Sequence, residues 1–201
     1  MALRLLTQPR QFFTDRESEL NGVLGAGLAI LLSLVLTSVV GASLWLFGRG
    51  LNAAVGGEFQ NAVAEALPLL FLAVLVLWLV LGAALFLGAK LGGGRGTFGA
   101  TLEVAAWGLV PTLVGVVVVG AALVVYGLQA DLAVDSLAAL GTRLRPLQTG
   151  FSGLAVLLVQ IGVAAWQAFL WAAGLRVAHG LDRFSAVATA IVVAVALVVL
   201  V

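Results

Sequence analysis

Glu103, Gln160, Gln167, Arg176 and His179 are polar side chains set within or at the ends of long apolar runs, and Pro111 interrupts one of those runs. A carboxylate in such a place can carry a proton or a cation. Glu103, Trp107, Pro111 and Gly115 recur at four-residue steps and so trace one slowly drifting helical stripe. An acidic side chain at a helix centre in hydrocarbon costs on the order of 3 kcal/mol. The cost is smaller in the first turn, where the helix N-terminus favours negative charge. Two readings follow for Glu103: an ion pair with Arg95, Arg176 or Arg183, or a proton or substrate site. Gln160 and Gln167 lie on nearly the same side of a helix. Facing lipid they would leave amides unsatisfied, so both are expected to face the bundle.

Other chemistry finds little support. The chain has no cysteine and one histidine, His179. Thiol chemistry, disulfides and cysteine-ligated metal are excluded, and no cofactor or metal is expected. Gly41, Ala42 and Ser43 faintly suggest an intramembrane serine protease, but the next residue of that motif is glycine and here it is Leu44. The glycine-rich stretch Lys90–Gly99 lacks the spacing of a phosphate-binding P-loop. It reads as a tight turn whose Lys90 and Arg95 can touch anionic headgroups. No catalytic residue is expected, and the chain reads as non-enzymatic.

The elements that hold these residues are apolar runs at about 23–47, 67–89, 101–126, 151–173 and 184–201. Each is long enough to cross a hydrocarbon core about 30 Å thick at about 1.5 Å per residue. The chain is 63% hydrophobic and 9% charged, with a mean hydropathy of +1.20. A soluble domain averages about 25% charged residues. The expected fold is therefore all-α: a polytopic bundle of five transmembrane helices with short interfacial helices. Residues 1–21 form an amphipathic N-terminal segment and 22–201 the membrane domain. The segment 1–21 lacks a signal-peptide pattern, so the first helix is expected to stay in the mature protein. A net charge of +1 gives no case for nucleic acid.

The charges between the runs set a direction. Arg4, Arg10, Arg16, Lys90, Arg95, Arg176 and Arg183 fall on one side of a five-span chain, and Arg49, Arg143 and Arg145 on the other. Basic residues are retained on the cytoplasmic face. A multi-pass cell-membrane protein follows, with its N-terminus cytoplasmic and its C-terminus outside. That topology also separates Ser43 from His179, which removes the protease idea. Trp45 and Tyr126 would sit near the outer interface, and Trp78 mid-span, where packing is its role.

Local signals fill in the rest. Thr7 is a plausible N-cap before Pro9, and Phe12, Phe13 and Leu20 give Leu5–Leu20 a partly apolar face. That segment is either an interfacial helix on the leaflet or a short helix packed under the bundle. Asn52–Ala66 reads as a short external helix leading into the second span. Asp131–Leu144 reads as another, capped by Asp131, with Leu137, Leu140 and Leu144 on one face. Pro111 should kink its helix near Trp107–Pro111. Gly25, Ala29, Ser33 and Thr37, then Ala186, Ala190 and Ala194, then Gly88 and Gly92, are small-residue faces that let helices approach closely. Internal packing and homo-oligomerisation are both open.

Three blocks occur in order: LLTQPRQFF, GGGRGTFGATLEVAAWGLVPTLVG and WAAGLRVAHGLDRFSAVATA. With their spacing the chain resembles the prokaryotic, archaeal and bacterial branch of the Yip family (Ypt/Rab-GTPase-interacting membrane proteins) from about Gln8 to Ala190. Pro9, Gly93, Thr97, Phe98, Pro111, Gly174, His179 and Gly180 are the family-pattern positions. The resemblance implies five spans and a cytoplasmic N-terminus. Eukaryotic relatives are associated with vesicle trafficking and membrane shaping, but this chain lacks their long cytosolic N-terminal region and Asp-Leu-Tyr-Gly-Pro type motif. The expected role is organisation of membrane or scaffolding of partners. The lipid bilayer, other membrane proteins or a second copy are the implied partners, and no small-molecule substrate is identified. The alternative is a small transporter or channel using the polar residues of helices three and four. A subunit of a larger membrane complex is a third reading.

Overall fold

Long runs of Leu, Val and Ala in a medium without water must satisfy their own backbone groups, and a helix does so within one segment. The computed structural model describes residues 2–129, 134–145 and 150–200, and among these every regular element is helical. The helices are α1 (Ala2–Thr7), α2 (Pro9–Thr14), α3 (Gly22–Gly48), α4 (Ala53–Leu91), α5 (Phe98–Gly108), α6 (Val110–Gln129), α7 (Leu137–Leu144), α8 (Gly150–His179) and α9 (Arg183–Leu200). A short 3-10 turn, Glu17–Glu19, lies between α2 and α3.

Four stretches are long and apolar enough to cross a membrane: Gly22–Gly48, Val55–Leu91, Phe98–Gln129 and Ser152–His179. The apolar helix Arg183–Val199 is shorter. Only 22–33% of the apolar window in each long stretch is buried within the chain. The rest, including Leu69, Val76, Leu87 and Leu158, is exposed. Apolar surface of that extent needs lipid around it.

Several local expectations are corrected. Thr7 closes α1 instead of capping α2; the cap position is Gln8, with Pro9 in the first turn as its fixed φ allows. Leu5–Leu20 is broken into short pieces, and Phe12 and Phe13 are buried, as the packed alternative expects. Asn52–Ala66 is not a separate helix. It runs on through Pro68 into one 39-residue helix, because a proline removes a single backbone bond and its neighbours carry the turn across. Asp131 lies outside the described residues; α7 is capped by Ser136, whose Oγ accepts from the Ala139 N–H at 3.2 Å. The expected break near Pro111 is present: α5 ends at Gly108, and the Leu109 N–H turns back to the Ala106 carbonyl at 3.0 Å.

The chain divides into two units. The first comprises Met1–Leu32, Val74–Thr112 and Ile161–Val201. Its interior holds Phe13, Leu85, Val104, Leu170, Trp171 and Leu175, all essentially inaccessible. Ala186, Ala190 and Ala194 are buried, and a Cβ on Gly88 would lie 2.5 Å from Thr189 Cγ2. Trp78 is buried and its indole N–H donates to the Leu102 carbonyl at 2.9 Å, the packing role expected of it. The second unit comprises Ser33–Ala73 and Leu113–Gln160. Its core is Phe47, Leu51, Val55, Val134 and Leu140, with Leu137 and Leu144 packed against it as their spacing predicts. Gly25, Ala29, Ser33 and Thr37 are all buried within the chain, so that face is not free for a second copy.

Candidate functional site

The polar side chains of the first unit gather where α3 and α5 begin and where α4 and α8 end. Glu103 is fully buried. Its Oε2 accepts the Asn21 backbone N–H at 2.8 Å. Its Oε1 faces Arg16 Nη2 at 3.5 Å and the Trp107 indole N–H at 3.4 Å. The carboxylate therefore pairs with Arg16, not with Arg95, Arg176 or Arg183. The contact of buried Phe12 with partly exposed Trp107, rings 5.0 Å apart and edge to face, brings the N-terminal segment onto α5 and carries Arg16 with it. The guanidinium lies 5.7 Å from the Phe12 ring and 5.9 Å from Trp107. Asn21 in turn caps α3, its Oδ1 accepting from Val23 and Leu24, both at 3.0 Å. A Cβ on Gly25 would lie 2.7 Å from the Glu103 nitrogen, so this glycine is what lets α3 approach α5. Arg16 and Asn21, four and nine residues after Phe12, carried no signal in the sequence that paired them with Glu103.

His179 closes α8. Its Nε2 and Thr101 Oγ1 are 2.7 Å apart in the interior. The Thr101 hydroxyl also donates to the Thr97 carbonyl at 3.0 Å, which leaves the ring Nε2–H to donate to Thr101. The His179 carbonyl accepts the Arg95 N–H at 3.0 Å. The glycine-rich loop is thereby pinned to the end of α8. Lys90 Nζ donates to the carbonyls of Gly94 (3.3 Å) and Gly96 (3.0 Å). The N–H groups of Gly92, Gly93 and Gly94 bond back to Gly88, Lys90 and Ala89. A phosphate cradle presents free N–H groups to an anion; this loop turns carbonyls toward a cation and uses its N–H groups internally. Gly93 has φ +82°, which favours glycine, and a Cβ on Gly96 would lie 2.1 Å from the Ala178 carbonyl oxygen.

Deeper in the unit, Gln167 is buried and its Nε2 donates to Thr112 Oγ1 at 3.0 Å. Trp171 is fully buried and directs its indole N–H at the Ala105 carbonyl, 3.4 Å away. Gly108 makes room for that ring, since a Cβ there would fall 1.8 Å from Nε1. Pro111 is buried one turn beyond. Gln160, expected on the same covered face as Gln167, is exposed. A helix face is buried only at the levels where a neighbour covers it, and seven residues is about 10 Å of helix. Ser43 donates to its own helix at the Val39 carbonyl, 2.8 Å away. Arg176 is half-buried and lines a cavity with Arg10 and Arg183. Among the described residues no group of three His, Asp or Glu side chains could hold a metal.

Glu103, Gln167 and His179 each join two separate parts of the first unit. Arg176 stands in the same region without a described protein partner, and Gln160 is exposed. The pattern of the Yip1 domain matches residues 3–201. No curated protein and no solved structure matches the chain.

Proposed function

Because the chain belongs to the Yip1-domain family and is a multi-pass membrane protein, we propose that it acts without catalysis, organising membrane or scaffolding membrane partners. The carrying observation is that three of its buried polar side chains serve as ties. Glu103 holds Asn21 and Arg16, His179 holds Thr101, and Gln167 holds Thr112. Groups engaged in such bonds stiffen a bundle and are not at hand to bind and release a substrate. The test is crosslinking in native membranes followed by isolation of the full chain. A partner set reproduced across preparations supports scaffolding. No reproducible protein or lipid partner counts against it.

The five-span reading belongs to the same proposal. At 18 residues α9 is about 27 Å long, close to a hydrocarbon core of about 30 Å. With α9 as a span, the seven-to-three division of basic residues supports an N-in, C-out orientation in the cell membrane. The chain has no cysteine, so a single cysteine at Ser18 or at Thr142 reports its own side. Labelling of the two from opposite faces fits the proposal, and labelling of both from one face overturns it.

A small transporter or channel is favoured by one observation, the interrupted helix at Leu109 close to Glu103 and the Gln167–Thr112 bond. Broken helices line substrate paths in transporters. Ion or proton flux into proteoliposomes that Glu103→Gln abolishes would replace the scaffolding reading with this one.

A further inference from the structure

Three arginines from three elements line one cavity of about 520 Å³ in the first unit: Arg10 of α2 and Arg183 of α9, both exposed, and half-buried Arg176 of α8. Phe169, Ala172 and Val187 form its apolar wall. The ion pairs among the described residues are Arg4 with Asp15 and Arg16 with Glu103, so none of the three is matched by a carboxylate there. Asp182, next to Arg183, already accepts the N–H groups of Phe184 (2.8 Å) and Ser185 (3.2 Å) as the cap of α9. Like charges gathered in one recess repel unless an anion joins them. Guanidinium groups match a phosphate best, through paired N–H donors in a planar fork.

The apolar wall narrows the choice. Phe169 and Val187 are exposed, and they lie on the two helices whose apolar surfaces continue from the recess along α8 and α9. A ligand that fits both halves is anionic at one end and hydrocarbon at the other. We propose that the cavity binds the phosphate of an anionic glycerophospholipid. Arg10, Arg176 and Arg183 hold the phosphate, and Phe169, Ala172 and Val187 receive the first part of an acyl chain. This does not rest on the scaffolding reading, since retention of lipid is measured on purified protein and partner capture in native membranes.

The test is native mass spectrometry of the full chain in detergent, titrated with phosphatidylglycerol or phosphatidylcholine. Preferential retention of phosphatidylglycerol is expected, falling about fivefold for each arginine removed and at least tenfold in Arg176→Gln/Arg183→Gln. Arg143→Gln, outside the cavity, should bind as the unaltered chain does. Val187→Trp keeps every charge and fills the apolar half, so it should weaken the lipid. Glycerol phosphate at millimolar concentration should leave the lipid bound; if it displaces the lipid fully, a soluble phosphate is the ligand and the lipid assignment falls. Equal retention of the two lipids, or full retention in the double variant, overturns the proposal. If the double variant does not fold, Arg10→Gln, at an exposed position of α2, decides the matter by the same titration.

Discussion

The backbone N–H of Asn21 donates to Glu103 Oε2 at 2.8 Å across 82 residues of sequence. One buried carboxylate thus holds the entry to α3 against the first turns of α5, with Arg16 at its other oxygen. A charge in that position has a structural duty that neutralisation and deletion should separate.

Glu103→Ala should destabilise the protein by about 3 kcal/mol, because it leaves a mostly buried guanidinium and a backbone N–H without their acceptor. Glu103→Gln keeps a carbonyl oxygen for Asn21 and should lose about half as much. Thermal unfolding in detergent ranks the two, and proteolysis should reach the Arg10–Arg16 segment sooner in the alanine variant. Equal stability of all three proteins would falsify the tie.

Thr101→Val should cost about 1–3 kcal/mol, since it strands the buried His179 Nε2 while conserving shape. Thr101→Ser restores the hydroxyl and should recover most of the loss. Amide exchange at Arg95, whose N–H bonds to the His179 carbonyl, should quicken in the valine variant and not in the serine variant.

Two glycines give opposite expectations. At Gly96 a methyl group would meet the Ala178 carbonyl oxygen, a backbone atom that cannot swing away, so Gly96→Ala should displace the loop and lower the melting temperature. At Gly27, inside α3, a methyl group meets nothing within 4 Å. Gly27→Ala should be neutral or stabilise by up to about 1 kcal/mol through helix propensity. A loop that tolerated Gly96→Ala unchanged would contradict the pinned geometry.

The carboxyl of Asp182 is held below the usual range, first by the Ser185 side chain and then by backbone N–H groups at the start of α9. Its folded value is depressed, so its contribution is present above the unfolded carboxylate pKa of about 3.9 and is lost as pH falls through the folded value. Asp182→Ala should therefore melt at a lower temperature than the unaltered chain at pH 7. The gap should close as both are taken well below pH 4.

Much of the scaffold was legible residue by residue. Leu137, Leu140 and Leu144 needed only helical spacing to be placed on one face, and the Trp107–Pro111 break followed from a missing backbone donor. Elements without a strong period were not legible. The junction at Asn52–Ala66 hides a continuous helix because nothing in its composition differs from a capped external turn. The fate of Leu5–Leu20 depended on whether Phe12 and Phe13 found a partner in the bundle.

Sequence alone determined the solvent of this protein and the length of its apolar elements, because a run of hydrocarbon side chains and the rise of a helix are local properties. It also determined which few residues could bear charge or hydrogen bonds inside them. Only the tertiary structure decided the pairings: Glu103 with Arg16 and Asn21, His179 with Thr101, Gln167 with Thr112 while Gln160 stays exposed, and Arg10, Arg176 and Arg183 around one cavity. The reason is physical. A buried polar group must find a partner, but which partner it finds depends on which distant segment the packing of Phe12, Trp107 and the small residues between helices brings within 3 Å or so of it.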